Sequence, residues 1–169
     1  MTRVTGLRAI LSLDVTDDVY FRAGVGLLVV NEGRLVLALE RSDVPGSWQV
    51  PQGGLIDGED PLQAAERELY EETGIPWYAV TVLAVHPNWL AYELPESARS
   101  PKTGRGQVQK WFLLRFHGTD TDIRLQPDRD ESEFARWQWI SMAQLSSSVW
   151  EIRRPIYYTL ALHWQEEFG

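Results

Sequence analysis

Residues 53–75 encode a glycine-rich loop and an acidic helix in one continuous segment, GGLIDGEDPLQAAERELYEETGI. Asp60 followed by Pro61 is typical of a helix N-cap and first helical position, and Gly74 is typical of a helix end. The helix predicted between these signals carries three glutamates within about one turn: Glu68, Glu71 and Glu72. Carboxylates three or four residues apart on a helix repel each other by a few tenths of a kcal/mol. A stable fold therefore requires some interaction that offsets the repulsion between these three carboxylates.

The helical periodicity places these carboxylates beside the protein core. At about 100° per residue, Leu62, Ala65 and Leu69 form one apolar stripe that is predicted to pack inward. The three glutamates occupy an adjoining arc of about 100°, so their side chains are expected to converge. Either a bound cation offsets the repulsion, or the acidic face is simply solvated.

The composition narrows the classes of protein that the chain can belong to. Its 169 residues, 44% hydrophobic and 24% charged, fit one globular domain. A net charge of -8 argues against general nucleic-acid binding but leaves recognition of one phosphorylated end open. The chain has no cysteine, which allows a reducing cytoplasm, the compartment that we expect. The apolar runs are shorter than the ~18 residues that a membrane span needs, so no membrane association is expected.

Strand and helix signals follow one another along most of the chain. Two apolar runs flank Asn31-Glu32-Gly33 and predict a β-hairpin with the glycine in the left-handed conformation. Further strands are predicted at YAVTVLAV, QVQKWFLLRF and FARWQWI, a helical turn at SMAQL, and a closing helix over about residues 153–168, where Ile156, Leu160 and Trp164 recur every four residues. Residues 88–106 are predicted to form a long connection.

One domain is expected over residues 20–169, and residues 1–19 form an N-terminal extension. This extension has a short apolar centre that ends at Asp14 and has no small-residue cleavage pattern, so it is not expected to be a secretory signal. We predict that it forms a short strand packed on the domain.

The spacing of the acidic segment resembles a known family motif. Counted from Gly53, five residues precede Glu59, seven more precede Arg67-Glu68-Leu69, and Glu71-Glu72 and Gly74-Ile75 follow after single residues. This pattern resembles the Nudix box at every defined position. The resemblance implies an α/β fold, namely an α/β/α sandwich with a mixed central β-sheet and a loop-helix-loop metal site. It also implies Mg²⁺ or Mn²⁺ as cofactor and hydrolysis of a nucleoside diphosphate linked to another group.

The Nudix resemblance also assigns roles to single residues. The metal ligands that it implies are the carbonyl of Gly53 and the carboxylates of Glu68, Glu71 and Glu72. Arg67 is expected to pair with Glu59 and hold the loop against the helix, which orients the ligands.

Other segments resemble one branch of the family, the bacterial RNA pyrophosphohydrolases and the related dinucleoside polyphosphate hydrolases. The segments are FRAGVG, WQVPQGG, NWLAYELP, GQVQKWFLL and EFARWQW. By this resemblance Arg22, Arg41 and Lys110 are expected to face a polyphosphate, although each also fits an ordinary surface cation. Gln52 and Gln109 add hydrogen bonds to the substrate or serve a structural role.

The same branch suggests further substrate and catalytic contacts. Glu133 matches a glutamate that completes the metal site or acts as the general base, with Glu131 and Asp130 as its rivals. Tyr92 either stacks on a base or packs in the core. Arg153 is expected to contact the substrate. It follows Ile152 where an aromatic residue and a lysine are usual, which weakens an RNA assignment, as does Val108 in place of a lysine.

The expected activity is cleavage of a phosphoanhydride bond in a 5′-triphosphorylated RNA end or a dinucleoside polyphosphate, with Glu72, Glu133 and Arg67 as catalytic residues. A nucleoside triphosphate or nucleotide-sugar hydrolase is the alternative within the same chemistry. A non-catalytic module that binds nucleotides or RNA ends is the alternative from another class. The substrate, the number of metals and the oligomeric state stay open.

Overall fold

The computed structural model describes residues 20–168, and the strand predicted for residues 1–19 lies outside this range. Within it we number eight strands and three α-helices in chain order. The strands are β1 (Phe21–Val30), β2 (Val36–Arg41), β3 (Trp48–Gln49), β4 (Gln52–Gly54), β5 (Val80–Val85), β6 (Leu90–Glu93), β7 (Gly106–Phe116) and β8 (Phe134–Ile140). The helices are α1 (Pro61–Thr73), α2 (Met142–Ser148) and α3 (Arg154–His163).

The central sheet is mixed, as the α/β prediction requires. Its main strand order is β3-β2-β1-β7-β5. Strand β1 runs parallel to β7 over its whole length, with Gly26 opposite Trp111, and is antiparallel to β4. The remaining pairs are antiparallel: β2 pairs with β1, β3 and β8, and β7 pairs with β5 and β6. The apolar runs of β1 and β7 form the middle of the sheet because both of their faces are covered.

Helices cover the two faces of this sheet. On the face that packs against α1, which we call the α1 face, Val25 and Phe112 share a buried cluster with Ala65 and Leu69. On the opposite face, which we call the α3 face, buried side chains of the sheet pack against α2 and α3. They include Leu28, Trp111, Leu145 and Leu160. Because side chains alternate along a strand, neighbouring residues of β1 and β7 serve opposite faces. This is the predicted sandwich.

The turn after β1 differs from the predicted hairpin. The left-handed residue is Arg34, with φ 62°, and not Gly33. Asn31 accounts for this geometry, since its Oδ1 accepts a hydrogen bond from the Leu35 amide at 3.0 Å. The prediction for glycine was therefore wrong, because an asparagine side chain closes this turn.

Helix α1 begins and ends at the predicted residues. The Asp60 side chain accepts from the Gln63 amide at 2.9 Å, and the Gln63 side chain accepts from the Asp60 amide at 3.0 Å. Gly74 ends the helix with φ 68°. The predicted apolar stripe is wrong at Leu62, which is 48% exposed, whereas Ala64 is buried. The buried stripe is therefore rotated towards the carboxylates and includes Glu68 and Glu72.

Two segments predicted as loops contain strands. Residues 88–106 include β6, whose Leu90 pairs with Gln109 of β7, and a 3₁₀ turn over Glu96–Ala98. The glycine-rich segment begins with β4, which pairs with β1. These strands depend on partners far away in the chain, so no local periodicity revealed them. The closing helix is present as α3, and no helix within residues 20–168 is long and apolar enough to cross a membrane.

We expect Asp60→Ala to lower the free energy of unfolding by about 1 kcal/mol, because the variant loses the carboxylate that accepts from the Gln63 amide in the capping box. Urea denaturation of the purified protein measures this difference. Asp57→Ala is the matched control, since Asp57 is exposed in the same loop and makes no hydrogen bond within residues 20–168. Equal stability of the two variants would contradict the capping role.

Candidate functional site

Arg67 lies at the centre of the acidic segment and joins its loop to its helix. Its Nε and Nη2 donate to the two carboxylate oxygens of Glu59 at 2.7 and 2.9 Å. Nη2 also donates to the carbonyl of Gly54 at 2.8 Å. The Glu59 carboxylate in turn accepts from the Ile56 amide at 3.0 Å. The Arg67 hydrogen bonds lower the pKa of Glu59, so this pair stays ionised and holds the loop against α1.

The remaining nitrogen of Arg67 binds two of the predicted metal ligands. Nη1 donates to Glu68 Oε1 at 2.6 Å and to Glu71 Oε2 at 3.2 Å. Glu68 is buried, and this burial raises its pKa despite the opposing effect of Arg67. The side chain of Glu71 is 51% exposed. The guanidinium therefore neutralises part of the charge on this turn of α1.

Glu72 is the most strongly perturbed carboxyl group of the acidic helix. It is 8% exposed, and its Oε2 accepts from the Gln52 amide at 3.0 Å. Burial raises its pKa well above the ordinary value, and the negative charge of Glu68 raises it further. Because both effects disfavour the ionised form, a cation near these two carboxylates would stabilise their charged state.

The donor set and the local space fit a hard divalent cation. Glu68 Oε2 and Glu72 Oε1 accept no hydrogen bond from residues 20–168, and carboxylate oxygens are the ligands that Mg²⁺ and Mn²⁺ prefer. Gly53 lies directly against the Glu68 carboxylate, and any Cβ at this position would overlap it. A side chain at this position would therefore require the Glu68 carboxylate to shift.

The side chains are not arranged as a finished metal site. Within residues 20–168, no group of three or more His, Asp or Glu side chains is positioned to hold a metal ion. Arg67 engages both Glu68 and Glu71. Ligation by these residues and by the Gly53 carbonyl therefore stays a prediction.

Glu133 directly precedes β8 and lies near Glu72. Its charge is among those that raise the pKa of Glu72. The Glu133 side chain is 65% exposed and pairs with Arg129 at 2.9 Å. This proximity favours Glu133 over Asp130 and Glu131 as the additional acidic residue of the site.

Several predicted substrate contacts lie together on the α3 face. The Arg22 guanidinium packs on Gly54, where a Cβ would overlap it. Gln109 is buried and donates to Gln52 Oε1 at 3.1 Å. The positive charge of Arg22 also lies close enough to Glu68 to favour the ionised form of that carboxyl group.

Tyr92 is a core residue as well as a predicted substrate contact. It is 6% exposed, and the Arg153 guanidinium lies 5.2 Å from its ring centroid. Arg153 also lies 5.8 Å from the Trp150 ring centroid and donates to Gln49 at 3.5 Å. A cation therefore already covers one face of the Tyr92 ring, and base stacking on it stays a prediction.

The two remaining predicted cations each have a partner in the fold. Lys110 shares the α1 face by strand alternation, and its Nζ donates to the Pro87 carbonyl at 3.1 Å. Arg41 pairs with exposed Asp43 at 2.6 Å. Arg41 and Arg153 both line a cavity of about 290 Å³, whose other lining residues are Val44, Ser47, Trp48, Gln49 and Trp150.

Comparisons with known proteins identify the family. The model of the NUDIX domain matches residues 20–160. An RNA pyrophosphohydrolase of Rhizobium meliloti is 41% identical over 154 residues, which cover 83% of this chain and 91% of that protein. The chain belongs to the Nudix family.

A plant Nudix protein and a solved structure agree with this assignment. Nudix hydrolase 26, chloroplastic, of Arabidopsis thaliana is 40% identical over 144 residues, 81% of this chain and 66% of that protein. A C. elegans Ap4A hydrolase crystal structure superposes with a TM-score of 0.65 at 22% identity, covering 86% of this chain and 98% of that one. At this identity the structural likeness shows the Nudix fold.

The Nudix motif did not reveal every residue of the site. Trp150 and Gln49 hold Arg153 beside the cavity, and Arg129 binds Glu133. Gln126, which is buried next to Glu133, is also absent from the motif. Neither spacing nor composition distinguishes these residues, because their contacts are made across the fold.

We expect Glu72→Gln to stabilise the Nudix domain at pH 7 in the presence of a chelator. The pKa of Glu72 is higher in the folded state than its ordinary value of 4.5. As the pH rises above 4.5, Glu72 therefore ionises first in the unfolded chain, and the free energy of unfolding falls. The gain in the free energy of unfolding, roughly 0.5–2 kcal/mol, should disappear below about pH 4, where Glu72 is protonated in both states. Urea denaturation across this range measures it. Glu66→Gln, which is exposed on the same helix, should change stability by less than about 0.5 kcal/mol at pH 7.

Proposed function

We propose that this Nudix protein is a metal-dependent pyrophosphohydrolase that cleaves a phosphoanhydride bond at an RNA 5′ end or in a dinucleoside polyphosphate. The observation that carries the proposal is the pair of buried carboxylates, Glu68 and Glu72, held beside Arg67 on one helix. Buried acids with raised pKa values are typical of functional sites. The named relatives, which include RNA pyrophosphohydrolases, support the same reaction.

Mg²⁺ or Mn²⁺ is the proposed cofactor, and Nudix proteins generally use divalent metals. Glu68, Glu71, Glu72 and the Gly53 carbonyl would hold it. When bound, such an ion neutralises negative charge on the polyphosphate and on its surroundings. The two hydrogen bonds from Arg67 to Glu59 use Nε and Nη2 and do not involve Nη1. They would therefore keep the loop in place if Glu68 and Glu71 left Nη1 to bind the metal ion.

Glu133 is the proposed general base for the attacking water. It directly precedes β8, is accessible to solvent, and is close enough to affect the pKa of Glu72. Its partner Arg129 is exposed as well, and exposed ion pairs are weak, so the carboxylate is readily released. A positioned carboxylate of this kind can accept the proton that the water loses.

The α3 face is the proposed side for the rest of the substrate. Arg22 and Arg153 supply positive charge there, and Gln52 and Gln109 supply amide groups. The cavity beside Arg153 is lined by the exposed indole of Trp150, which suits a planar base. A substrate with both a polyphosphate and a base matches this combination.

The decisive experiment offers triphosphorylated RNA, diadenosine tetraphosphate, nucleoside triphosphates and a nucleotide sugar to the purified protein with Mg²⁺. We expect kcat/KM for the RNA or the dinucleoside polyphosphate to exceed the others by at least about tenfold, which is about 1.4 kcal/mol. Higher values for free nucleotides or nucleotide sugars would support the alternative hydrolase. Tight binding without any hydrolysis would support the non-catalytic module.

Glu72→Gln tests the acidic helix in the same assay. The variant should lose on the order of 100-fold or more in kcat, because it removes one buried negative charge from the proposed metal site. Glu66→Gln carries the same chemical change on the exposed side of α1 and should keep wild-type activity. Unaltered activity of Glu72→Gln would refute the proposed metal role.

We expect Trp150→Ala to raise KM about tenfold with little change in kcat, since base stacking contributes about 1–3 kcal/mol. Trp150 is 40% exposed at the cavity and contacts Arg153. Tyr78→Ala is the control, because Tyr78 is 91% exposed and does not line the cavity. A normal KM for Trp150→Ala would exclude this cavity from substrate binding.

A further inference from the structure

Gln126, in the segment between β7 and β8, is buried in an unusual backbone conformation. It is 3% exposed and has φ 42°. Residues with a Cβ rarely adopt this left-handed conformation, and where they do, the surrounding structure has to hold them there. The contacts of Gln126 therefore indicate which interactions hold its backbone in this conformation.

The Gln126 backbone is attached to the end of the acidic helix. Its amide donates to the carbonyl of Glu72 at 3.0 Å, and the nearby Arg124 amide donates to the carbonyl of Thr73 at 2.8 Å. The last four carbonyls of a helix have no partner within the helix. The segment before β8 therefore supplies these missing donors and is joined to α1 at the residue that carries the Glu72 carboxylate.

The Gln126 side chain is attached to the proposed general base. Its Oε1 accepts a hydrogen bond from the Glu133 amide at 2.5 Å. On the other side, the Glu133 carbonyl accepts from the Ser42 amide at 2.8 Å. The backbone of Glu133 is thus held in two directions while its carboxylate remains exposed.

We propose that Gln126 is a positioning residue that fixes Glu133 relative to Glu72. One buried residue binds the main chain of both, through its amide on one side and its side-chain carbonyl on the other. The left-handed backbone allows the amide and the side chain to reach these two partners. The inference rests on the proposed function, in which Glu133 accepts a proton from the attacking water, and it adds a residue that lies outside the Nudix box.

Two variants remove the acceptor oxygen of Gln126 in different ways. Gln126→Gly adopts φ 42° without strain and keeps the backbone amide that binds Glu72. Gln126→Met keeps the length and bulk of the side chain but has no carbonyl oxygen. Arg34→Gly is the matched control, because Arg34 is the other left-handed residue with a side chain in residues 20–168 and lies in the turn after β1. Thermal unfolding identifies the variants that remain folded.

Both Gln126 variants should lower kcat by on the order of 10- to 100-fold and leave KM within about twofold, since Gln126 orients a base and does not bind substrate. The Arg34 control should keep wild-type kcat. The effect should also depend on Glu133: in a Glu133→Gln background, Gln126→Gly should cause no further loss. A residue that merely stabilises the loop would lower activity in both backgrounds.

Amide hydrogen exchange at Glu133, followed by NMR, tests the contact without any assay of turnover. Exchange should be slow in the wild-type protein and at least about tenfold faster in Gln126→Gly, because the hydrogen bond is lost. Unchanged exchange would overturn the proposal.

The activity measurements separate this inference from the proposed function. Normal kcat in both Gln126 variants, or losses that add to that of Glu133→Gln, would overturn the positioning role, whereas wild-type hydrolysis would leave the proposed function intact. Full activity of Glu133→Gln would likewise overturn the positioning role. If the wild-type protein hydrolyses none of the substrates, the proposed function fails and the catalytic purpose of Gln126 fails with it, while hydrogen exchange still reports the contact itself.

Discussion

The guanidinium of Arg67 is the contact on which the arrangement of the acidic helix depends. It binds Glu59 with two nitrogens, the Gly54 carbonyl, and both Glu68 and Glu71. A lysine could not replace it, because its single ammonium group lacks the planar fork that reaches several oxygens in fixed directions. Through this one side chain, the loop after β4 and the helix that follows it behave as a unit.

Arg67 offsets only part of the cost of burying acidic groups. Glu72 receives a single backbone hydrogen bond from Gln52, and its pKa is raised by burial and by Glu68. Burying an ionisable group in this way lowers the stability of the fold at neutral pH. Proteins retain such groups where function needs them. The acidic helix therefore keeps these carboxylates at a cost in stability.

The short strand β4 lies between Glu68 and Arg22. Gly53 faces the α1 side and packs on the Glu68 carboxylate, while Gly54 packs on the Arg22 guanidinium. Consecutive glycines on a strand point to opposite faces, so neither charged group is blocked by a side chain. The Glu68 carboxylate therefore lies on one side of β4 and the Arg22 guanidinium on the other.

The sequence by itself determined the family and the caps of α1, because both depend on residues close together in the chain. The resemblance to the family then predicted the pairing of Arg67 with Glu59. It also predicted the mixed α/β sandwich. Tertiary structure decided the rest. Local periodicity placed Leu62 in the core, whereas packing against the sheet buried Ala64 instead. The β6 strand, the cavity beside Trp150 and the contacts of Gln126 join segments that are distant in sequence. Such contacts form only when the folded backbone brings their partners together, so no local pattern encodes them.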